Sequence, residues 1–237
     1  MLIKSVQMSI GVLTDPAATF DRLKTEKHSA IVPFALVFAS IAAMLLYYFA
    51  NVDFAWLKSS MLDQMAVASE IGEDELALID ENMTASSALW STMAAALIGT
   101  LLLNAILAWY LNITAKWLAK DAYGYRDWFA FSWWFSMPVV ASSMLSTLLV
   151  LFSKDGRIAL EGLSVTNLNS LVFGVDATNA WFGLANSLDL FYLWSLTLIA
   201  IGLKSWLGIN LKPAAMIAVA PSAVIFGGWA LMIISFN

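Results

Sequence analysis

From Ala30 to Ala50 no charged residue interrupts the chain. A helix crossing a hydrocarbon layer of about 30 Å needs about 20 such residues. The same apolar pattern returns at about 86–110, 128–151, 187–207 and 213–236. The fourth stretch is the weakest. Asp189 and Lys204 bound its uncharged part, and both lie within a turn or two of an interface, where snorkelling lowers the cost of a charge. The pattern predicts an all-α polytopic membrane protein with five transmembrane helices.

The polar stretches between these runs carry their own signals. Leu2, Ile3, Val6, Ile10 and Leu13 recur at helical spacing, with Lys4, Ser5, Gln7 and Ser9 between them. This predicts an amphipathic helix lying on the membrane surface, too short and polar to be the apolar core of a signal peptide. Asp15-Pro16 marks a second helix start, because Asp caps free N–H groups and Pro loses nothing at the first helical position. In that helix Asp21, Arg22 and Lys24 form a polar side, and Phe20 and Leu23 are expected to dip into the interface. The chain thus divides into an interfacial segment, 1–29, and a five-helix domain, 30–237.

Residues 51–83 are acidic and read as two short helices separated by Gly72. Nothing stops the second span before Lys120. The stretch 153–186 is too polar to cross and reads as a loop with a short helix near Leu160 or Trp181. Pro138 interrupts the third span and Pro221 the fifth. A kink at Pro138 requires neighbouring helices or Ser side chains to satisfy the freed carbonyl.

Charge sets the orientation. The N-terminal side of the five-span arrangement holds nine basic and five acidic residues, the other side three basic and twelve acidic. Cytoplasmic loops carry the Lys and Arg excess, which predicts a cytoplasmic N-terminus and the C-terminus outside. Trp56, Trp90 and Trp181 fall near the outer boundary and Trp109, Trp117, Trp128 and Trp206 near the inner one, as an aromatic belt would.

Composition narrows the chemistry. Hydrophobic residues make up 61% and charged residues 12%, against about 25% charged in a soluble domain. There is no Cys and a single His, His28, which leaves thiolate chemistry and His-based metal cages or Ser-His relays without parts. An intramembrane aspartyl protease needs two carboxylates sharing a proton, and Asp189 is alone at membrane depth. The expectation is a protein without catalytic, metal or cofactor residues and without a nucleic-acid partner.

Two groups of residues remain as candidates. Lys116, Lys120 and Arg126, with Trp117, Tyr123, Tyr125 and Trp128, form a basic aromatic cytoplasmic turn. It serves either as positive-inside anchoring or as a surface for anionic lipid or a protein partner. Pro138 and Pro221 break two helices midway, and broken helices build substrate sites in transporters, although static kinks are the commoner meaning. Asn104, Ser136, Ser142, Ser143 and Ser195 would line such a pocket, with Lys204 either a counter-ion or simply snorkelling. The acidic cluster Glu70, Glu73, Asp74, Glu75, Asp80 and Glu81 lacks EF-hand spacing and reads as a solvated face. Ala214, Ala218 and Ser222, and likewise Ala95 and Gly99, allow close helix approach, within the chain or between two copies in a homo-oligomer.

Several segments together carry a resemblance: Asp15-Pro16-Ala17-Ala18-Thr19-Phe20 ahead of a span with an early Pro33, then Gly124-Tyr125-Arg126-Asp127-Trp128-Phe129 leading into the span with Pro138. Trp194 to Gly208 and the Pro-interrupted last helix complete it. From Asp15 to its C-terminus the chain resembles the bacterial branch of the Yip (Ypt-interacting protein) domain family, five-span proteins with a cytoplasmic N-terminus. The resemblance implies a bacterial inner (plasma) membrane protein acting as a scaffold or adaptor rather than an enzyme. Eukaryotic members are associated with vesicle traffic and small GTPases. Their short Asp-Leu-x-Gly-Pro signature is absent here, since Asp189-Leu190 continues into Phe191-Tyr192, and the GTPase partner is not carried over. The leading expectation is a membrane scaffold contacting lipid or protein at its cytoplasmic face. The alternative is a small transporter or lipid-handling protein with a pocket between the Pro-kinked helices.

Overall fold

The structure is a computed structural model that describes residues 2–26, 29–68, 72–118 and 123–236. His28, Glu70 and Lys120 lie outside the described residues. Eleven α-helices follow in order among the described residues: α1 Leu2–Thr14, α2 Pro16–Thr25, α3 Ile31–Asn51, α4 Phe54–Ala68, α5 Glu73–Asn82, α6 Ala85–Trp117, α7 Tyr125–Phe135, α8 Pro138–Phe152, α9 Phe182–Ser187, α10 Leu190–Leu207 and α11 Leu211–Phe236. Five segments are long and apolar enough to cross a membrane: α3, α6, the continuous pair α7–α8, α10 and α11. The weakest of these in the sequence, α10, is also the shortest at 18 residues, with a mean hydropathy of 1.5.

The helix ends follow local chemistry. Asp15 caps α2 by accepting the Ala18 N–H at 3.3 Å, and Pro16 occupies the first helical position. Thr84 and Ser87 cap α6 reciprocally, and that helix runs 33 residues without a break. Gly124 starts α7, its N–H donating to the Asp127 carboxylate at 2.9 Å. Gly208, at φ +61, ends α10 in the left-handed conformation and turns the chain directly into α11.

Pro138 does more than kink its span. It ends α7 and begins α8, with Ser136 and Met137 forming the turn between them. The carbonyl of Trp134, which a continuous helix would pair with residue 138, accepts the Met137 N–H at 3.4 Å, and the Ser136 N–H reaches Ser132 at 3.1 Å. Pro221, by contrast, lies inside an unbroken α11.

Two apolar cores stack along the bundle. One lies at the end carrying α1 and α2, where Phe20 and Leu23 meet Trp128, Phe131 and Phe135 of α7 and Leu203 and Trp206 of α10. The other lies toward α4, where Val37, Ile41, Leu45 and Tyr48 of α3 pack with Leu57, Met93, Trp133 and Val150. Phe20 and Leu23 are therefore not interfacial: α2 crosses the bundle end and closes it. Lys24 and Asp21 fix that lid, donating to the Ser205 carbonyl at 2.9 Å and accepting from the Ser205 hydroxyl respectively.

In α1 the buried face is Ser5, Met8, Ser9 and Val12. The apolar stripe, with Ile3 76% exposed and Ile10 58%, faces outward. The spans show the same inversion. Leu101, Leu102, Leu103 and Ile106 of α6 and Val224, Ile225, Leu231 and Met232 of α11 are exposed, while Asn104, Asn112, Ser132, Ser143 and Ser146 are buried. Where the surrounding solvent is hydrocarbon, polar groups turn into the bundle, where most of these are hydrogen-bonded; the Asn112 side-chain oxygen has no partner among the described residues.

Ala214, Ala218 and Ser222 are all buried where α11 meets its neighbours, so their spacing serves packing within the chain. Ala95 is exposed and Gly99 has nothing within 4 Å of a Cβ position, so that second pair forms no such seam. At the far end the acidic segment folds as α4 and α5, tied by the Lys58–Asp80 ion pair at 2.7 Å. The loop after α8 contains a short helix at each of the two expected places, a 3₁₀ turn at Leu160–Leu163 and α9 beyond Trp181, and a π-helical turn at Asn169–Phe173 between them.

Candidate functional site: the basic aromatic end of the bundle

The end closed by α2 brings together most of the predicted basic aromatic turn. Lys116 and Trp117 terminate α6, and Tyr123, Tyr125, Arg126 and Trp128 surround the start of α7. Helix geometry divides them into two sets. Lys116, Tyr125 and Arg126 are exposed, and Trp117 is 88% exposed. Trp128 points the other way and is wholly buried, stacked edge-on to Phe131 at 5.6 Å and 5.7 Å from the ring of Trp206.

Trp128 and Trp206 therefore leave the aromatic belt expected of them: they are core residues, and their indole N–H groups have no hydrogen-bond partner among the described residues. Trp90, Trp109, Trp117 and Trp181 are exposed. Tyr123 lies 4.8 Å from the Trp206 ring and joins the two sets; burial, reinforced by the Asp127 carboxylate, raises its phenol pKa above the usual value.

Beside this turn, α3 and α7 diverge to leave an open groove of about 420 Å³. Its floor is Phe34, Phe129 and Trp133, and Tyr125, Arg126 and Ile31 stand at its rim. Phe34 and Trp133 meet edge to face at 4.8 Å, as do Phe129 and Trp133 at 5.7 Å. Arg126 makes no hydrogen bond or ion pair with the described residues. Sequence reasoning singled out Tyr125 and Arg126 but missed the aromatic floor, because Phe34 and Trp133 are ordinary residues of two separate spans until the fold apposes them.

The intramembrane candidates do not form one site. Asn104 and Ser136 are both buried and bonded to each other: the Ser136 hydroxyl lies 3.0 Å from the Asn104 side-chain amide oxygen and 2.9 Å from the Ser132 backbone carbonyl, and the Asn104 side-chain NH₂ donates to the Thr100 carbonyl at 2.9 Å. Pro138 is buried next to them. Ser143 lines a second groove of about 290 Å³ between α3 and α8, with Ser40, Tyr47 and Thr147. Ser142 accepts the Ser146 hydroxyl at its carbonyl. Ser195 bonds to Phe191 within α10, and Pro221 adjoins Ser222, which bonds to the Tyr192 hydroxyl. Lys204 is exposed at the bundle end. Neither of these two grooves is lined by Pro138 or Pro221.

Asp189, the acidic residue nearest membrane depth, is fully engaged. One carboxylate oxygen caps α10 through the Phe191 N–H at 2.7 Å; the other accepts hydroxyl groups of Ser164 and Thr166. It holds the loop 153–189 onto the start of α10, with the Asn167–Asp189 backbone bridge beside it.

Searches among curated proteins and among solved structures find no match. The Yip1 domain family model matches residues 10–232, from the last turn of α1 to near the end of α11. That match spans all five candidate membrane helices and nearly the whole length of the chain, and on it the protein belongs to the Yip1 domain family.

Proposed function

We propose that the protein is a non-enzymatic membrane scaffold or adaptor whose α1–α2 end faces the bacterial cytoplasm and contacts membrane lipid or a protein partner. One observation carries the reading: at that end the charged and aromatic side chains Lys116, Trp117, Tyr125 and Arg126 face outward, while the interior behind them is closed by aromatic packing. That is a surface for contact. The basic excess on this side supports the cytoplasmic orientation. The outward stripe of Ile3, Val6 and Ile10 supports α1 as an interfacial anchor in the inner membrane.

The test is native mass spectrometry of the protein extracted from its own membrane in a mild detergent. A lipid or protein should be retained in fixed stoichiometry by the wild type and lost when Lys116, Lys120 and Arg126 are all changed to Gln. Wild-type retention by a correctly inserted triple variant would remove the reading.

A further inference from the structure

We infer that the groove between α3 and α7 is a binding site for one anionic glycerophospholipid of the surrounding membrane. An acyl chain would lie on the aromatic floor and the phosphate would pair with Arg126. This rests on the reading above and narrows it to one place and one ligand chemistry. The groove opens at the first turns of two membrane spans, where Ile31, 73% exposed, faces the same surroundings as the lipid-facing sides of the spans. Its volume of about 420 Å³ falls within the range of about 300–1,000 Å³ found for small-molecule sites.

The lining has the polarity of a phospholipid laid lengthwise. Phe34, Phe129 and Trp133 are held edge to face, so they offer a rigid, mainly apolar cleft whose floor carries one polar group, the Trp133 indole N–H. Tyr125 stacks over Phe129 with ring centroids 6.1 Å apart and extends the apolar wall toward the headgroup level. At that level stands Arg126, a planar cation suited to phosphate and unpaired among the described residues. A protein helix is less well matched: in lipid there is no hydrophobic drive to bury it, and between the small lining residues Ala30 and Ala130 the bulky rings of Phe34, Phe129 and Trp133 keep backbones apart.

The experiment titrates the full-length protein, in a neutral detergent, with phosphatidylglycerol or phosphatidylcholine of matched chains and counts bound lipids by native mass spectrometry. The wild type should bind one phosphatidylglycerol in preference to phosphatidylcholine. Arg126→Gln should reduce that preference about fivefold, the contribution of one basic residue near an anionic surface. Ile31→Trp, which fills the mouth from an exposed position, should reduce binding of both lipids. Ala130→Leu should do the same from inside the groove, so that loss of one variant to misfolding leaves the test intact. Undiminished phosphatidylglycerol binding by a folded groove-filled variant would overturn the inference while leaving a lipid contact elsewhere on the basic face. Loss of a co-purifying protein from that variant, with lipid binding intact, would overturn it in favour of a protein occupant. No lipid preference in the wild type, with a protein partner still lost in the triple Gln variant, would overturn it and leave the adaptor reading standing.

Discussion

Gly202 of α10 sits against the ring of Phe131 in α7 so closely that a Cβ at position 202 would lie 2.4 Å from the Phe131 Cζ. The ring has little freedom to withdraw, because Phe20, Trp128, Phe135 and Trp206 all contact it. The absence of a side chain at 202 is thus what lets α2, α7 and α10 close the basic end of the bundle. Gly202→Ala is expected to destabilise by about 1–3 kcal/mol, the usual cost of overpacking. Thermal unfolding in detergent measures it, with Gly227→Ala as the control: that position has open space around it, and its variant should be neutral or slightly more stable. Equal effects at both positions would sever the link to Phe131.

Gly156 makes a comparable contact at the other end, for a different reason. Its φ of +65 is disfavoured for any residue with a side chain, and a Cβ there would stand 2.7 Å from the Asn51 carbonyl oxygen. Its own carbonyl accepts the Asp53 N–H at 3.0 Å, joining the loop to the end of α3. Gly156→Ala should loosen residues 153–163 while leaving the spans intact, read as faster limited proteolysis of that loop. Wild-type cleavage rates would show that the loop is held by its other contacts alone.

What was legible in the sequence follows from the strength of each physical signal. Five apolar runs, the Asp15-Pro16 start and the Gly72 interruption each record a local rule, and the helices begin and end where those rules apply. The directions of side chains on the bundle were not legible. Phe20, Trp128 and Trp206 read as interfacial because they lie near span ends, yet all three enter the core. Periodicity cannot separate an apolar face turned to lipid from one turned to a neighbouring helix, since both are hydrophobic. For the same reason the turn containing Arg126 could be named, whereas the groove beside it arises only when α3 and α7 are placed together.

Two carboxylates outside the spans, Asp53 just after α3 and Asp155 within the loop, hold that loop in a pH-dependent way. Asp53 accepts the Trp56 N–H at 3.2 Å and pairs with Arg157, and the first of these does most to hold its pKa below the usual aspartate value. Asp155 is lowered likewise, chiefly by the Arg157 N–H. A carboxyl whose folded pKa is depressed adds stability above its unfolded value, about 3.9, and that stability is lost as pH falls through the folded value. Amide protection factors at Trp56 and Arg157 should therefore be constant between about pH 5 and 8 and fall below about pH 4. Protection that stays unchanged well below that range would show that these carboxylates do not fasten the loop.

Asp189 couples a helix cap to a loop, and the two contributions separate by substitution. Asp189→Ala removes the N-cap of α10, worth about 0.5–2 kcal/mol, and leaves the Ser164 and Thr166 hydroxyls without their acceptor. Asp189→Asn keeps one acceptor oxygen and a good capping side chain. The expected order of thermal stability is wild type, then Asn, then Ala. An Ala variant as stable as the Asn variant would mean that the cap contributes nothing to α10.

The Ser136–Asn104 hydrogen bond at 3.0 Å decides whether the break at Pro138 holds the bundle together or prepares a pocket. The turn between α7 and α8 breaks the helix as a substrate site would, yet its residues are buried and the hydroxyl at that turn is directed to α6. If the pair is structural, a double-mutant cycle of Ser136→Ala and Asn104→Ala should return a favourable coupling of about 0.6 kcal/mol, with about 1.7 kcal/mol as the upper end for polar pairs between membrane helices. Ser136→Ala should destabilise more, because it leaves the buried Asn104 side-chain oxygen without this donor, whereas after Asn104→Ala the Ser136 hydroxyl keeps the Ser132 carbonyl as acceptor. Residues that faced a substrate cavity would instead have water or ligand as their partner, and their removal would be additive in the ligand-free protein. A coupling indistinguishable from zero would therefore favour a cavity at the Pro138 turn, whereas a coupling in the expected range makes that turn a fixed joint between α6 and the α7–α8 span.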